Sequence, residues 1–189
     1  MKKLLLVTTA AMAGLAVVAA PAEAKTLYGA ARYGVSDADI DTGFGSLSTD
    51  QGSTFGAEIG VASSNGLRVG VSVDRATADI ALSPGFSFEG QTTTFAVGAQ
   101  YDVLSFGDAK AFVGIGYDYT KAEVNAGFAS LEGDGDGWHY DVGVSHQVTP
   151  TLSVEVMRRA HKGDLAFDFF PSDVSLDQSA WTFGLRATF

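Results

Sequence analysis

The sequence predicts an all-β protein: an eight-stranded antiparallel up-and-down transmembrane β-barrel, with short turns at one end and four long loops at the other. Three observations predict it. Apolar residues recur at every second position in eight separate segments, the period of a strand with two unlike faces. The connections between these segments alternate short and long. The polar face is rich in glycine and in charges of both signs, whereas the apolar face is terminated by tyrosine and tryptophan. A soluble barrel also alternates, but it puts its charged face in water and its larger apolar side chains inside. Aromatic belts around an apolar band belong to a wall that meets lipid.

The chain begins with a segment to be removed. Lys2 and Lys3 precede an uncharged apolar stretch from Leu4 to Ala20, and Ala22-Glu23-Ala24 is a small-residue cleavage site. That is the pattern of a secretory signal peptide, predicted over 1–24, which leaves one barrel domain at 25–189. No later segment approaches the ~20 apolar residues of a spanning helix. Cysteine is absent, so disulfides do not hold the exported chain; something else must, and a hydrogen-bonded barrel closed on itself would do. The formal charge of −10, made one unit more negative by loss of the signal, excludes a nucleic-acid footprint.

The eight strands follow in order. The first sets Leu27, Gly29, Ala31, Tyr33 and Val35 against Tyr28, Ala30, Arg32 and Gly34. The second sets Phe55, Ala57, Ile59 and Val61 against Gly56, Glu58 and Gly60, and the third Leu67, Val69, Val71 and Val73 against Arg68, Gly70, Ser72 and Asp74. The fourth opposes Phe95, Val97, Ala99, Tyr101 and Val103 to Ala96, Gly98 and Gln100. The fifth opposes Ala111, Val113, Ile115, Tyr117 and Tyr119 to Phe112, Gly114, Gly116 and Asp118. In the sixth, Trp138, Tyr140, Val142 and Val144 alternate with His139, Asp141, Gly143 and Ser145. The seventh alternates Leu152, Val154 and Val156 with Ser153, Glu155, Met157 and Arg159, and the eighth Trp181, Phe183, Leu185, Ala187 and Phe189 with Thr182, Gly184, Arg186 and Thr188. Each is roughly ten residues, enough for a tilted strand to cross a bilayer.

Short connections lie at Ser63–Gly66, around Phe106-Gly107-Asp108 and at Thr149-Pro150; Asn65-Gly66 signals a two-residue hairpin. Long ones are expected at 36–52, 76–91, 120–137 and 160–178. Short turns lie on the periplasmic side of outer-membrane barrels, which places both termini in the periplasm.

The signal peptide, the eight strands and the terminal Phe189, with apolar residues at every second position back to Trp181, resemble the small OmpA/OmpX-type outer-membrane barrels. The resemblance implies that Phe189 is read by the outer-membrane assembly machinery. The ending Leu185-Arg186-Ala187-Thr188-Phe189 departs from the Tyr-Arg-Phe ending common in such families, which leaves the subfamily open.

Eight strands leave room only for side chains in the middle. The inward positions offer Arg32, Arg68, Arg159 and Arg186 against Glu58, Asp74, Asp118, Asp141 and Glu155, with Gln100 and His139 nearby. Charges at that depth must pair, so a lumen ion-pair network is expected. Arg75, Lys121, Arg158 and Lys162 continue the outward parity at the far ends of the third, fifth and seventh strands. There they are expected to meet lipopolysaccharide phosphates, or else to snorkel at the interface.

Beyond the bilayer a weak repeat, Asp39-Ile40, Asp79-Ile80, Glu123-Val124 and Asp164-Leu165, follows the odd strands. If strand geometry continues, its acids point outward and its apolar residues form a small plug over the lumen. The loops are acidic and carry Phe44, Phe86, Phe88, Phe128, Phe167, Phe169 and Phe170, which either present a partner surface or pack the loops together. Glu132–Gly137 resembles part of a calcium loop but lacks its twelve-residue spacing and closing Glu, so no dedicated metal site is expected.

The histidines are His139, His146 and His161, and none forms a nucleophile pair along the chain; Ser145 and His146 point to opposite faces. No cysteine, metal or phosphate-loop motif accompanies them, so neither enzyme nor cofactor is expected. The sequence therefore favours a surface barrel with a structural or interaction role, in envelope integrity, adhesion or partner binding through its loops. The alternative is a small gated pore, or transport of a small or apolar ligand.

Overall fold

The computed structural model describes residues 25–41, 46–49, 51–83, 86–125, 130–167 and 174–189. The predicted signal peptide at 1–24 lies outside them. The strands are β1 (Lys25–Asp41), β2 (Ser46–Ser48), β3 (Gly52–Ser63), β4 (Leu67–Ser83), β5 (Phe86–Phe106), β6 (Ala109–Asn125), β7 (Ser130–Thr149), β8 (Leu152–Phe167) and β9 (Val174–Thr188). Each of the eight long strands pairs antiparallel with its neighbour, and β1 pairs with β9, so the sheet closes. Closure removes the strand edges that a lone sheet would expose.

The short β2 has a place in that wall. β3 pairs with β1 only as far as Ser36↔Gly52. Beyond it, β2 takes over with Asp39↔Ser48 to Asp41↔Ser46, and a bridge from Thr49 to Ile80 ties it to β4.

The faces are as the alternation predicts. Leu27 is 57% exposed and Tyr28 1%, and the same two-residue swing separates Val113 from Phe112 and Phe183 from Thr182. The outward face is a continuous apolar band. The inward face holds Arg32, Arg68, Gln100, Asp118, His139, Asp141, Glu155 and Arg186, all buried.

The connections differ from expectation in two respects. The four long loops are largely strand: β4, β6 and β8 run on to Ser83, Asn125 and Phe167, and β5, β7 and β9 start at Phe86, Ser130 and Val174. The reason is in the parity. Above the apolar band the period of two persists while its sign inverts, with Ile80, Leu165, Val174 and Leu176 buried inside and Asp39, Asp79, Glu123 and Asp164 exposed outside. Above the band the wall thus has the face order of an ordinary soluble barrel, apolar within and charged without. The second difference is at Asn65-Gly66. The loop has three residues, Ser64 to Gly66, with positive φ at Gly66 alone, and Asn65 uses its side chain to accept from Leu67 N at 3.0 Å. A two-residue type I′ turn would need positive φ at both central residues. Gly107, with φ 62°, opens the two-residue turn Gly107-Asp108, where positive φ at the first central position alone fits type II′.

A bulge between Asp102 and Leu104 in β5 adds one residue, so Val103, Leu104 and Phe106 all face outward.

Candidate functional site

The feature that fills the molecule is a chain of polar side chains across the lumen. Tyr28 donates to Glu58 at 2.5 Å, and the other Glu58 oxygen accepts from Arg32 at 2.7 Å. Arg32 grips Asp74 through two nitrogens, both at 2.9 Å. From the opposite wall, Arg159 reaches Asp74 at 2.7 Å and holds Asp141 with a fork of 2.8 and 3.0 Å. Gln100 donates to Asp141 at 2.9 Å and accepts from Arg186 at 3.3 Å. Arg186 approaches Glu155 to 2.8 Å, although Glu155 Oε2 is not aligned as a hydrogen-bond acceptor. The chain runs from β1 through β3, β4, β8, β7 and β5 to β9. Buried ions survive only when paired and hydrogen-bonded, and the Arg32 and Arg159 links to Glu58, Asp74 and Asp141 supply both.

Two groups flank it. Asp118 on β6 has no arginine; its oxygens accept from Nδ1 of His139 on β7 at 2.5 Å and Nδ1 of His161 on β8. An ionised Asp118 only accepts, an arrangement that requires a proton on Nδ1 of both rings. Nε2 of His139 lies 3.9 Å from Asp141, which links this trio to the main chain. Toward the short turns, Arg68 donates to Asp102 at 2.8 Å, Lys110 approaches the same carboxylate to 3.2 Å, and the Arg68 guanidinium stacks 4.5 Å over the fully buried Phe112. Arg186 lies 5.0 Å over Tyr28 in the same manner. Cation–π contacts of this kind use the ring face in place of water.

All nine expected lumen residues therefore face inward and engage partners. Sequence reasoning missed Asp102 and His161. Asp102 shares the parity of Gln100, a signal that was available. His161 shares that of Arg159 but lies in a stretch expected to be loop.

Over the lumen at the loop end, Ala122, Leu165 and Leu176 form a buried cluster against which Ala38, Ile40 and Phe167 pack. Ile80 is buried nearby, and a cavity of about 60 Å³ lies among these residues. The expected apolar plug is thus present, with Leu176, Ala122 and Phe167 added to it. Phe167 is a packing residue here. Phe44, Phe128, Phe169 and Phe170, and the side chain of Phe86, lie outside the described residues.

The four outward cations are all exposed. Arg75 donates to Gln91, and Lys162 pairs with Asp177 at 2.9 Å. Lys121 stands between Thr93 and Asp134, and Arg158 between Val142 and Trp181. Close by, Tyr117 and Tyr119 turn their hydroxyls to Asp136 and Asp134, and Tyr117 packs edge-on against Trp138 with centroids 5.2 Å apart. An apolar ring with a wet polar tip suits a membrane interface. Phe189 is exposed, its amide donating to Leu27 O at 2.8 Å across the closing seam.

Comparison with solved structures finds the same fold. Neisserial surface protein A (NspA) superposes with a TM-score of 0.66 at 19% identity, over 88% of this chain and 100% of that one. OprG from Pseudomonas aeruginosa gives 0.58 at 12% identity, over 88% and 98%. Ail, the attachment invasion locus protein of Yersinia pestis, gives 0.51 at 13%, over 86% and 98%. Comparison with curated protein sequences finds no match. The profile of the outer membrane protein beta-barrel domain matches residues 7–189. With a closed eight-stranded wall, an apolar exterior and that match over nearly the whole chain, the protein belongs to the outer membrane protein β-barrel domain family.

Proposed function

We propose that this protein is a closed surface barrel of the outer membrane with a structural and interaction role. In this reading the turns and termini face the periplasm and the strand extensions face outward. The observation that carries it is the polar chain from Tyr28 to Glu155, which links side chains of opposite walls across the lumen. An eight-stranded interior is about as wide as the side chains that fill it. What the molecule offers a partner is then the rim of the extended strands, where Asp39, Asp79, Glu89, Glu123 and Asp164 are exposed. Such a rim favours a partner surface of positive charge.

Among the described residues, no nucleophile is hydrogen-bonded to either inward histidine. Both inward histidines spend Nδ1 on Asp118, and Nε2 of His161 has no hydrogen-bond partner, so no nucleophile is paired with that ring.

Planar-bilayer recording tests the reading. The expected result is silence. Reproducible single-channel steps that disappear on Arg159→Gln or Arg68→Gln would overturn it in favour of a gated pore. The small apolar chamber under Ile80 and Leu165 favours a second reading, capture of a small apolar ligand. A rise in thermal stability with short-chain lipids or fatty acids, in detergent-free bilayers, would promote that reading.

A further inference from the structure

Below the polar chain, beside the short turns, the lumen ends in a vestibule of about 350 Å³. All eight long strands line it, from Thr26 on β1 to Thr188 on β9, so it is the mouth of the barrel and not a dent in its surface. It opens because the inward side chains shorten at this level. Ala62, Ser145 and Ser153 line the mouth, where Glu58, Asp141 and Glu155 stand further in on the same strands. The lining is polar or charged apart from Ala62, Gly66 and Pro150. Small-molecule sites run from about 300 to 1,000 Å³ and usually have apolar walls. This one has the size of such a site and the wrong walls for an apolar guest, so what it holds is polar.

Two arginines of the vestibule have hydrogen bonds left to make. Arg68 and Arg186 both line it, and both are 5% exposed. Arg68 gives one nitrogen to Asp102, and Arg186 gives one to Gln100 while lying against Glu155. In each of them Nε is buried without a partner. A guanidinium has N–H donors and no acceptor, so only an acceptor can complete these groups. Charge points the same way. Arg68, Arg186 and Lys110 are set against Asp102 and Glu155, one anion short, and Asp108, the remaining acid of the mouth, lies on the exposed turn. Two of the three cations also have a hydroxyl beside them in register, Ser145 opposite Lys110 and Ser153 opposite Arg186.

We propose that this mouth binds a small phosphate monoester of a sugar or polyol, with its phosphate taken by Arg68, Arg186 and Lys110 and its hydroxyls by Ser145, Ser153 and Gln147. Phosphate oxygens match the guanidinium fork and tolerate the point charge of a lysine. A bare phosphate would leave most of the chamber to water, and a neutral sugar would leave both Nε donors unmade. In the orientation proposed above the mouth opens to the periplasm, so the ligand is a periplasmic solute. The inference concerns the turn end of the lumen and not what the rim binds, so the two fail separately.

The test is isothermal titration calorimetry of the whole protein in phosphatidylcholine nanodiscs, with glucose 6-phosphate as the probe. One site per barrel is expected, and inorganic phosphate and glucose should each bind roughly tenfold more weakly or worse. With nitrogen-15 arginine in the same sample, the Nε–H signals of Arg68 and Arg186 should move on addition of the probe. Those of Arg32 and Arg159, already bonded to Asp74 and Asp141, should stay. Arg186→Gln should weaken binding roughly tenfold. Because Arg186 also belongs to the polar chain, two milder variants leave both arginines in place. Ser153→Trp, which fills the mouth, should lose about as much, and Lys110→Gln, on a half-exposed side chain, roughly threefold. The proposal is overturned if neither Nε–H signal moves and no heat is released with millimolar probe, if glucose or inorganic phosphate binds within twofold of it, or if S153W binds it within twofold of the parent.

Discussion

Arg159→Met is expected to destabilise the barrel by about 3–5 kcal/mol in reversible urea unfolding from phosphatidylcholine vesicles, as breaking a buried ion pair from one side does. Arg159 makes both links of the fork to Asp141, one link to Asp74 and a longer one to Ser72 at 3.2 Å. Methionine keeps much of the side chain's bulk and removes its charge. Asp74 retains Arg32, but Asp141 is left with Gln100 and the more distant His139. The double variant R159M/D141N should therefore lose less than R159M alone, since it removes the orphaned charge with its partner. That non-additivity is the signature of a direct link. A loss under 1 kcal/mol for R159M, or simple additivity in the pair, would show that the fork contributes little to the fold.

Asp118→Ala comes next in expected size. Its carboxylate is the shared acceptor for two imidazoles, and hydrogen bonds to a charged group are worth about 1.5–3 kcal/mol each. Losing both strands two buried Nδ1–H donors, so a loss of about 3–5 kcal/mol follows by the same measurement. Asp118→Asn should cost less. Its carbonyl still accepts from one ring, and the second ring can accept from the amide after moving its proton to Nε2. For His139 that move would place an N–H toward Asp141, whereas Nε2 of His161 has no partner. The tautomer should therefore change at His139, where the moved proton faces an acceptor and is not left buried and unpaired, and nitrogen-15 NMR of the two rings would read this directly. Equal losses for Ala and Asn would mean that the carboxylate is not the organising acceptor.

Much of the architecture was legible because a membrane wall makes period two unusually clean. In the eight alternating segments the outward set is apolar and the inward set, Phe112 and Met157 apart, is polar or small, so nine of the lumen charges could be assigned a side before any strand was paired. Partner identity was a different matter. Arg159 and Asp74 are 85 residues apart and meet across the lumen, and Arg32 meets Asp74 from two strands away. Those meetings depend on the stagger of one strand against the next, which a single strand's alternation does not contain. The loop assignments went astray for a related reason. At Arg75, Lys121 and Lys162 the outward face turns from apolar to charged, and a polarity change reads as the end of a strand although the backbone continues. His161 was lost from the lumen in that way. Asp102, between the outward Tyr101 and Val103, was legible by parity and was overlooked; the bulge that follows it puts Val103, Leu104 and Phe106 on the outside together.

That change of sign along one strand is also where the account is most exposed. The chain has no cysteine, so single cysteines can carry a spin label at each position of β4 from Leu67 to Ile80 in bilayers. Oxygen and a water-soluble nickel complex then report lipid and water separately. The account predicts oxygen access at Val69, Val71 and Val73, protection from both reagents at the alternate positions, and nickel access at Arg75 and Asp79 with Ile80 still protected. Nickel access at Val71 and Val73, or no two-residue rhythm, would contradict it.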